Sequence, residues 1–313
     1  MPRYENFAVT NLSVKNIFDL NGMNITPGFN PYGGMDYYVD NNYGSSGGDG
    51  LSWDTPKKTL AQAVTLSNAN IAADERGYRR GFASRNRIFY RADVETADLV
   101  VFPNKCDVIG VGSYDANTKP GITGNHVPVN DENYGTRFYN IWFKAPADAS
   151  PIITLANTTS GAQFLGCTFS ATATTTIGIQ STASPFLKVI GCRFEGAFVT
   201  SYITFGAGEA GGTEIRGNTM GDSAASGIVV PNTVTSSWIS VVEGNFIEAA
   251  TLTVNDDADL FFYYNNRFVS LAAATTVATC AEAIDIPAFR SQGNYLSAAN
   301  VTNILWPTVD TTT

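Results

Sequence analysis

One short phrase recurs six times between residues 164 and 296, and it restricts the possible folds more than any other feature. It reads Phe-Leu-Gly-Cys-Thr-Phe at 164–169, Val-Ile-Gly-Cys-Arg-Phe at 189–194 and Ile-Arg-Gly-Asn-Thr-Met at 215–220. It returns as Val-Glu-Gly-Asn-Phe-Ile at 242–247, Tyr-Tyr-Asn-Asn-Arg-Phe at 263–268 and Ser-Gln-Gly-Asn-Tyr-Leu at 291–296. Between the last residues of the copies the steps are 25, 26, 27, 21 and 28. Self-similarity at such a period marks stacked units, each too small to bury its own hydrophobic face.

With the Gly (Asn in the fifth copy) as position zero, two ladders of apolar residues flank it. Two positions earlier stand Phe164, Val189, Ile215, Val242, Tyr263 and Ser291; three later stand Phe169, Phe194, Met220, Ile247, Phe268 and Leu296. Strand alternation points both sets inward. Just after the Gly stand Cys167, Cys192, Asn218, Asn245, Asn266 and Asn294. These predict a bend whose inward polar side chains bond to their equivalents on neighbouring rungs, with the Gly relieving the turn. A further ladder, Ile153/Leu155, Ile177/Ile179, Ile203/Phe205, Ile228/Val230, Leu252/Val254 and Ile284/Ile286, has a long last step, which implies an inserted loop over 270–282. The expected fold is all-β, a parallel solenoid of about eight coils. At about 4.8 Å per rung this makes a rod on the order of 40 Å long.

Residues 1–35, rich in Asn, Gly and Pro, read as an extended arm ahead of a single domain, 36–313. Within that domain 36–85 opens the fold, 86–297 form the coils and 298–313 cover the end, as a solenoid requires capped ends. Thr55 and Pro56 predict a helix N-terminus with Leu60, Ala63 and Val64 on its apolar face. The arginines between Arg76 and Arg87 read as a solvated loop, and the segment 113–135 as a protruding loop with a surface His126.

Tyr38-Val39-Asp40, Gly48-Asp49-Gly50, Ser52-Trp53 and Thr55-Pro56 with Thr59-Leu60-Ala61-Gln62-Ala63 resemble the N-terminal opening of right-handed parallel β-helix proteins of the pectin-lyase-like superfamily. With the repeats, the resemblance covers roughly residues 36–297. It implies a right-handed coil whose first helix caps the solenoid, and it says little about chemistry, because this fold serves enzymes and structural proteins alike.

The net charge of −9 and pI near 4.6 argue against nucleic acid and anionic lipid as partners. No apolar leader and no long apolar run is visible, so neither secretion nor membrane insertion is expected. Four dispersed cysteines without CxxC spacing fit neither a disulfide scaffold nor a metal site, and no cofactor is expected beyond a structural Ca2+.

Outward positions carry Lys188 beside Glu214 and Arg216 beside Glu243, which are ordinary cross-strand pairs. They also carry apolar Leu165, Ile190, Val241, Phe262 and Tyr264, which predict a covered face: a loop, the arm or another subunit. Enzymes of the resembled superfamily use clustered outward carboxylates with a basic residue. The candidates here are Asp256, Asp257 and Asp259 with Arg267, in a segment that reads equally as a polar turn. The expectation placed first is therefore structural: the chain is similar to virion-associated proteins of bacteriophages, capsid decorations or tail components. These assemble in the host cytoplasm, contact other virion proteins and their own copies, trimers among the forms expected, and meet host-surface glycans. The alternatives are a polysaccharide lyase or glycoside hydrolase, and a carbohydrate-binding module with Trp142, Trp238, Tyr264 and Tyr295 as stacking platforms.

Overall fold

The computed structural model describes residues 18–20, 23–25, 33–73, 84–112, 119–129, 133–156, 159–172, 174–258, 261–271, 278–280 and 291–298. Its strands form long parallel sheets, compatible with a β-helix solenoid, and the described part holds one helix. A ten-stranded parallel sheet runs from Gly33–Asp40 through Arg85–Arg91, Cys106–Gly110 and Arg137–Tyr139, then through the first halves of the six phrases to Ser291–Gln292. A second sheet is built from the second halves of the phrases, preceded by Val94–Thr96, Gly121–Thr123 and Trp142–Lys144. Strands Thr219–Val230 and Phe246–Asp256 continue round into a further row with Ile153–Leu155, Ile177–Ser181, Ser201–Phe205 and Ala278–Cys280.

The phrase register holds rung by rung. Phe164, Val189, Ile215, Val242, Tyr263 and Ser291 pair in sequence, as do Phe169, Phe194, Met220, Ile247, Phe268 and Leu296. The first column extends upstream through Phe138, Val108, Ile88 and Tyr37, the second through Phe143 and Ile122. Phenylalanines stack along each column, Phe138 on Phe164 at 5.5 Å and Phe169 on Phe194 at 4.7 Å, and meet edge-to-face between columns. Such pairs add about 0.5–1.5 kcal/mol each beyond their buried area.

The Gly position is in the left-handed region in every copy, from φ 60° at Gly166 to 68° at Gly293. Asn265, the one departure, takes φ 53°, and Asn is the side chain that tolerates this conformation best. The phrase is therefore a bend written in the residues that a left-handed bend accepts.

Three expectations are corrected. The helix spans Leu60–Ala72, with Thr59 as N-cap in a capping box with Gln62, rather than starting at Thr55–Pro56. Lys57, ahead of it, is held in a parallel bridge to Val39, donating its N–H to Tyr38 O and accepting from Asp40 N–H, so the helix cannot begin at Pro56. Second, 119–129 does not protrude: Gly121–Thr123 is a rung of the second sheet, with Ile122 buried. Third, the row through Ile153 runs Ile179, Ile203, Ile228, Val254, Ala278. The last step is 278 − 254 = 24 residues, so that rung keeps the period without the long step to Ile286. A two-residue slip leaves side chains on the same face, which is why periodicity alone accepted the wrong pairing.

Of the expected arm, Phe18–Leu20 pairs with Met23–Ile25 in an antiparallel ladder, and the strand Gly33–Asp40 runs across the expected join at 35/36. Residues 299–313 lie outside the described part. No helix among the described residues is long and apolar enough to cross a membrane.

Candidate functional site

The bend ladder is a continuous run of side-chain hydrogen bonds through the interior. Asn245 Oδ1 accepts from the backbone N–H and the Nδ2 of Asn218, at 2.9 and 2.8 Å. Asn245 Nδ2 donates to Ile215 O at 2.8 Å and to Asn266 Oδ1 at 2.9 Å. Asn266 repeats the pattern towards Asn294 and Val242 O, and Asn218 receives the backbone N–H of Cys192. At Cys192 and Cys167 the thiols take the place of the amide donor, reaching Phe164 O at 3.3 Å and Phe138 O at 3.4 Å. Each inward side chain thus satisfies backbone groups that the bend would orphan, as buried polar groups must be. Both thiols are buried, and burial pushes the Cys192 thiol well up, away from reactivity.

Outside the ten-stranded sheet, one column reads Tyr38, Phe89, Ile109, Tyr139, Leu165, Ile190. Its first four members form one buried cluster against which Trp53, Val111 and Leu165 pack; the Trp53 ring lies 5.0 Å from that of Tyr38, so the loop at 41–59 covers this end of the face. Leu165, Ile190, Val241, Phe262 and Tyr264 are all half-buried, and Phe262 stacks on Tyr264 at 6.1 Å. Two residues earlier on each strand an ionic column pairs Asp36 with Arg87, Arg137 with Asp107 (which Arg85 also reaches) and Lys188 with Glu214, while the apolar column itself turns ionic after Ile190, with Arg216 beside Glu243. Arg87 is 1% exposed and grips Asp36 with two bonds of 2.8 and 2.7 Å. This end of the basic stretch is therefore a buried ion-pair column rather than a solvated loop, because Arg85–Arg91 is a strand of the sheet; 74–83 lie outside the described residues. Burial pushes the Asp107 carboxyl up and the arginines pull it back.

The catalytic candidates among the described residues occupy separate surroundings. Asp256 sits opposite Val230 in an inward column and is 1% exposed, so its expected outward position is overturned. Its oxygens are engaged by Tyr263 Oη at 2.9 Å and by the backbone N–H groups of Ala258 and Phe261. It closes the turn into the next rung. Asp257 is half-buried near Asn255, and Asp259 lies outside the described residues. Arg267 belongs to the outer face of the second sheet, where its guanidinium lies over the rings of Phe246 (5.3 Å) and Tyr295 (5.9 Å). Among the described residues no group of three His, Cys, Asp or Glu side chains is placed to hold a metal ion. Of the aromatic platforms, Trp238 and Tyr295 are exposed, while Trp142 donates to Ser170 Oγ and carries Lys144 over its ring.

His126 is fully buried, not a surface residue. Its Nδ1 accepts from Leu99 N–H at 3.1 Å, its ring meets Phe143 edge-on, and Nε2 has no partner among the described residues. Burial lowers its pKa to about 4. Sequence reasoning also passed over Glu95 and Lys119. Glu95 occupies an inward column and accepts the Leu60 N–H with both carboxylate oxygens, at 3.2 and 3.1 Å, which fastens the helix N-terminus to the coils. Lys119 bonds Gly166 O and Thr168 Oγ1 across the bend. A Glu within a Val-Glu-Thr strand gives no sign of its helix partner 35 residues away.

No family model matches the chain, and no curated protein or solved structure is similar to it.

Proposed function

We propose that the chain is a structural component of a virus particle, a right-handed parallel β-helix of about eight coils attached through residues 1–35. The observation that carries the non-catalytic reading is the use made of the recurring residues. The Gly and Asn of the phrase, together with Asp256, are engaged in bends and turns, and the outward charges at 188, 214, 216 and 243 neutralise one another. What recurs is architecture, and no reactive group recurs with it. A rod locked by side-chain bonds at successive bends suits a role in which rigidity is the function. The viral setting rests on the likeness to virion-associated proteins of bacteriophages of a β-helix with an Asn-, Gly- and Pro-rich segment ahead of it and few charged residues, 15% of the chain, and its partners would be other virion proteins and further copies of the chain.

The test is to mix the purified chain with particles of the host system from which it comes, with and without residues 1–35. Attachment that requires the arm supports the proposal; a chain that attaches to no particle removes it. Incubation with acidic polysaccharides forms the counter-test. Unsaturated or reducing ends that appear, and stop on Asp257→Ala, replace the structural reading with a depolymerase.

A further inference from the structure

Arg85, Arg87, Arg91, Arg137, Arg193 and Arg216 each lie within 4 Å of a carboxylate, and Arg267 is the arginine among the described residues that does not. It is exposed, in a chain with 28 acidic residues against 19 basic ones. Its position is nonetheless built: Phe246, Arg267 and Tyr295 are in register on consecutive rungs, so the guanidinium is held between two ring faces. Stacking of this kind fixes the plane of the group and leaves its N–H edge towards solvent. Across the bend, on the same rung, stand Tyr264 and Phe262, both half-buried and stacked on each other at 6.1 Å. An oriented arginine among aromatic residues is the composition of an interface hot spot.

We propose that this cluster is the contact by which the chain docks on a second copy of itself, with Arg267 receiving an Asp or Glu side chain from that copy. The inference rests on the reading of the chain as an assembling rod and names its self-contact. Two arguments choose the occupant. The ring faces turned towards Arg267 are already covered by it, so the cluster presents ring edges and a guanidinium edge. Both are electropositive and suit a carboxylate better than a stacked sugar. The acidic surplus of the chain means that a second copy supplies such carboxylates.

Sedimentation velocity on the full chain, at low and raised salt, tests this for the wild type, Arg267→Glu and Arg267→Lys. Circular dichroism confirms that the exposed substitutions leave the fold intact. The wild type is expected to self-associate, Arg267→Glu to weaken association by about tenfold or more, and Arg267→Lys to weaken it less, because the charge remains while the fork is lost. Association unchanged in Arg267→Glu overturns the inference and leaves the structural-rod reading standing. A wild type that stays monomeric overturns it as well, and so does a site that instead binds oligo-uronates in an Arg267-dependent way. Arg267-dependent association in a chain that attaches to no particle supports this inference while the virion reading falls.

Discussion

His126 makes the chain acid-sensitive in a calculable way. Because Nδ1 accepts the Leu99 N–H, the neutral ring carries its proton on Nε2, and a second proton would destroy that bond inside a dry site. Asp98 pulls the pKa back up, but burial dominates and leaves it at about 4, against 6.5 for a free histidine. A base with a depressed folded pKa stabilises the fold fully above 6.5, and that stability is lost as pH falls towards 4. At about 1.36 kcal/mol per unit, the full gap of about 2.5 units is worth about 3.4 kcal/mol, of which about 2 kcal/mol is gone by pH 5. Asp107 and Glu95, whose carboxyls are raised by burial, work in the opposite sense, so the wild-type profile alone does not isolate the histidine. The comparison is with His126→Asn, whose Oδ1 can still accept from Leu99. Urea denaturation at pH 7, 6 and 5 should show the variant less stable at pH 7, from lost packing on Phe143, but with a flatter acid slope. Parallel slopes for the two proteins would refute the assignment of the acid sensitivity to His126.

Other substitutions separate architecture from chemistry. Asn245→Ala removes a side chain bonded to the rungs on both sides, and should cost about 3 kcal/mol or more in thermal or urea unfolding. Cys192→Asn should be tolerated better than Cys192→Val, since the thiol already stands in the amide donor's place; equal losses in a melting comparison would contradict this. Asp256→Ala should destabilise by about 2–4 kcal/mol, because it removes the carboxylate that accepts from Tyr263 Oη and two backbone N–H groups, whereas Asp257→Ala should stay within about 0.5 kcal/mol. Glu95→Gln should loosen the helix from the coils, seen as faster amide exchange over 60–72 with the sheet protection unchanged.

The repeated phrase determined the long-range order of the chain by itself. Strand alternation has a period of two and the copies recur at one spacing, so inward residues, outward residues and rung pairing follow wherever the phrase is present. The outward pairs Lys188–Glu214 and Arg216–Glu243 were legible for the same reason. The N-terminal rungs were harder, because Gly121–Thr123 is short and lies among Gly and Pro.

What only the tertiary structure decided is which residues lose their water. Asp256 looked like part of an exposed Asp-Asp-Ala-Asp turn, yet a two-residue slip that alternation does not detect puts it in the inward column with Val230. His126 looked like a loop residue, and is buried because Leu99 and Phe143, distant in sequence, close over it. Arg267 was legible as an outward arginine, but that it lies between two rings without a carboxylate depends on what the rungs above and below carry. Periodicity is a local property of the chain and shows in one strand at a time. Burial and charge pairing are properties of neighbours, and the neighbours are set by how the rungs stack.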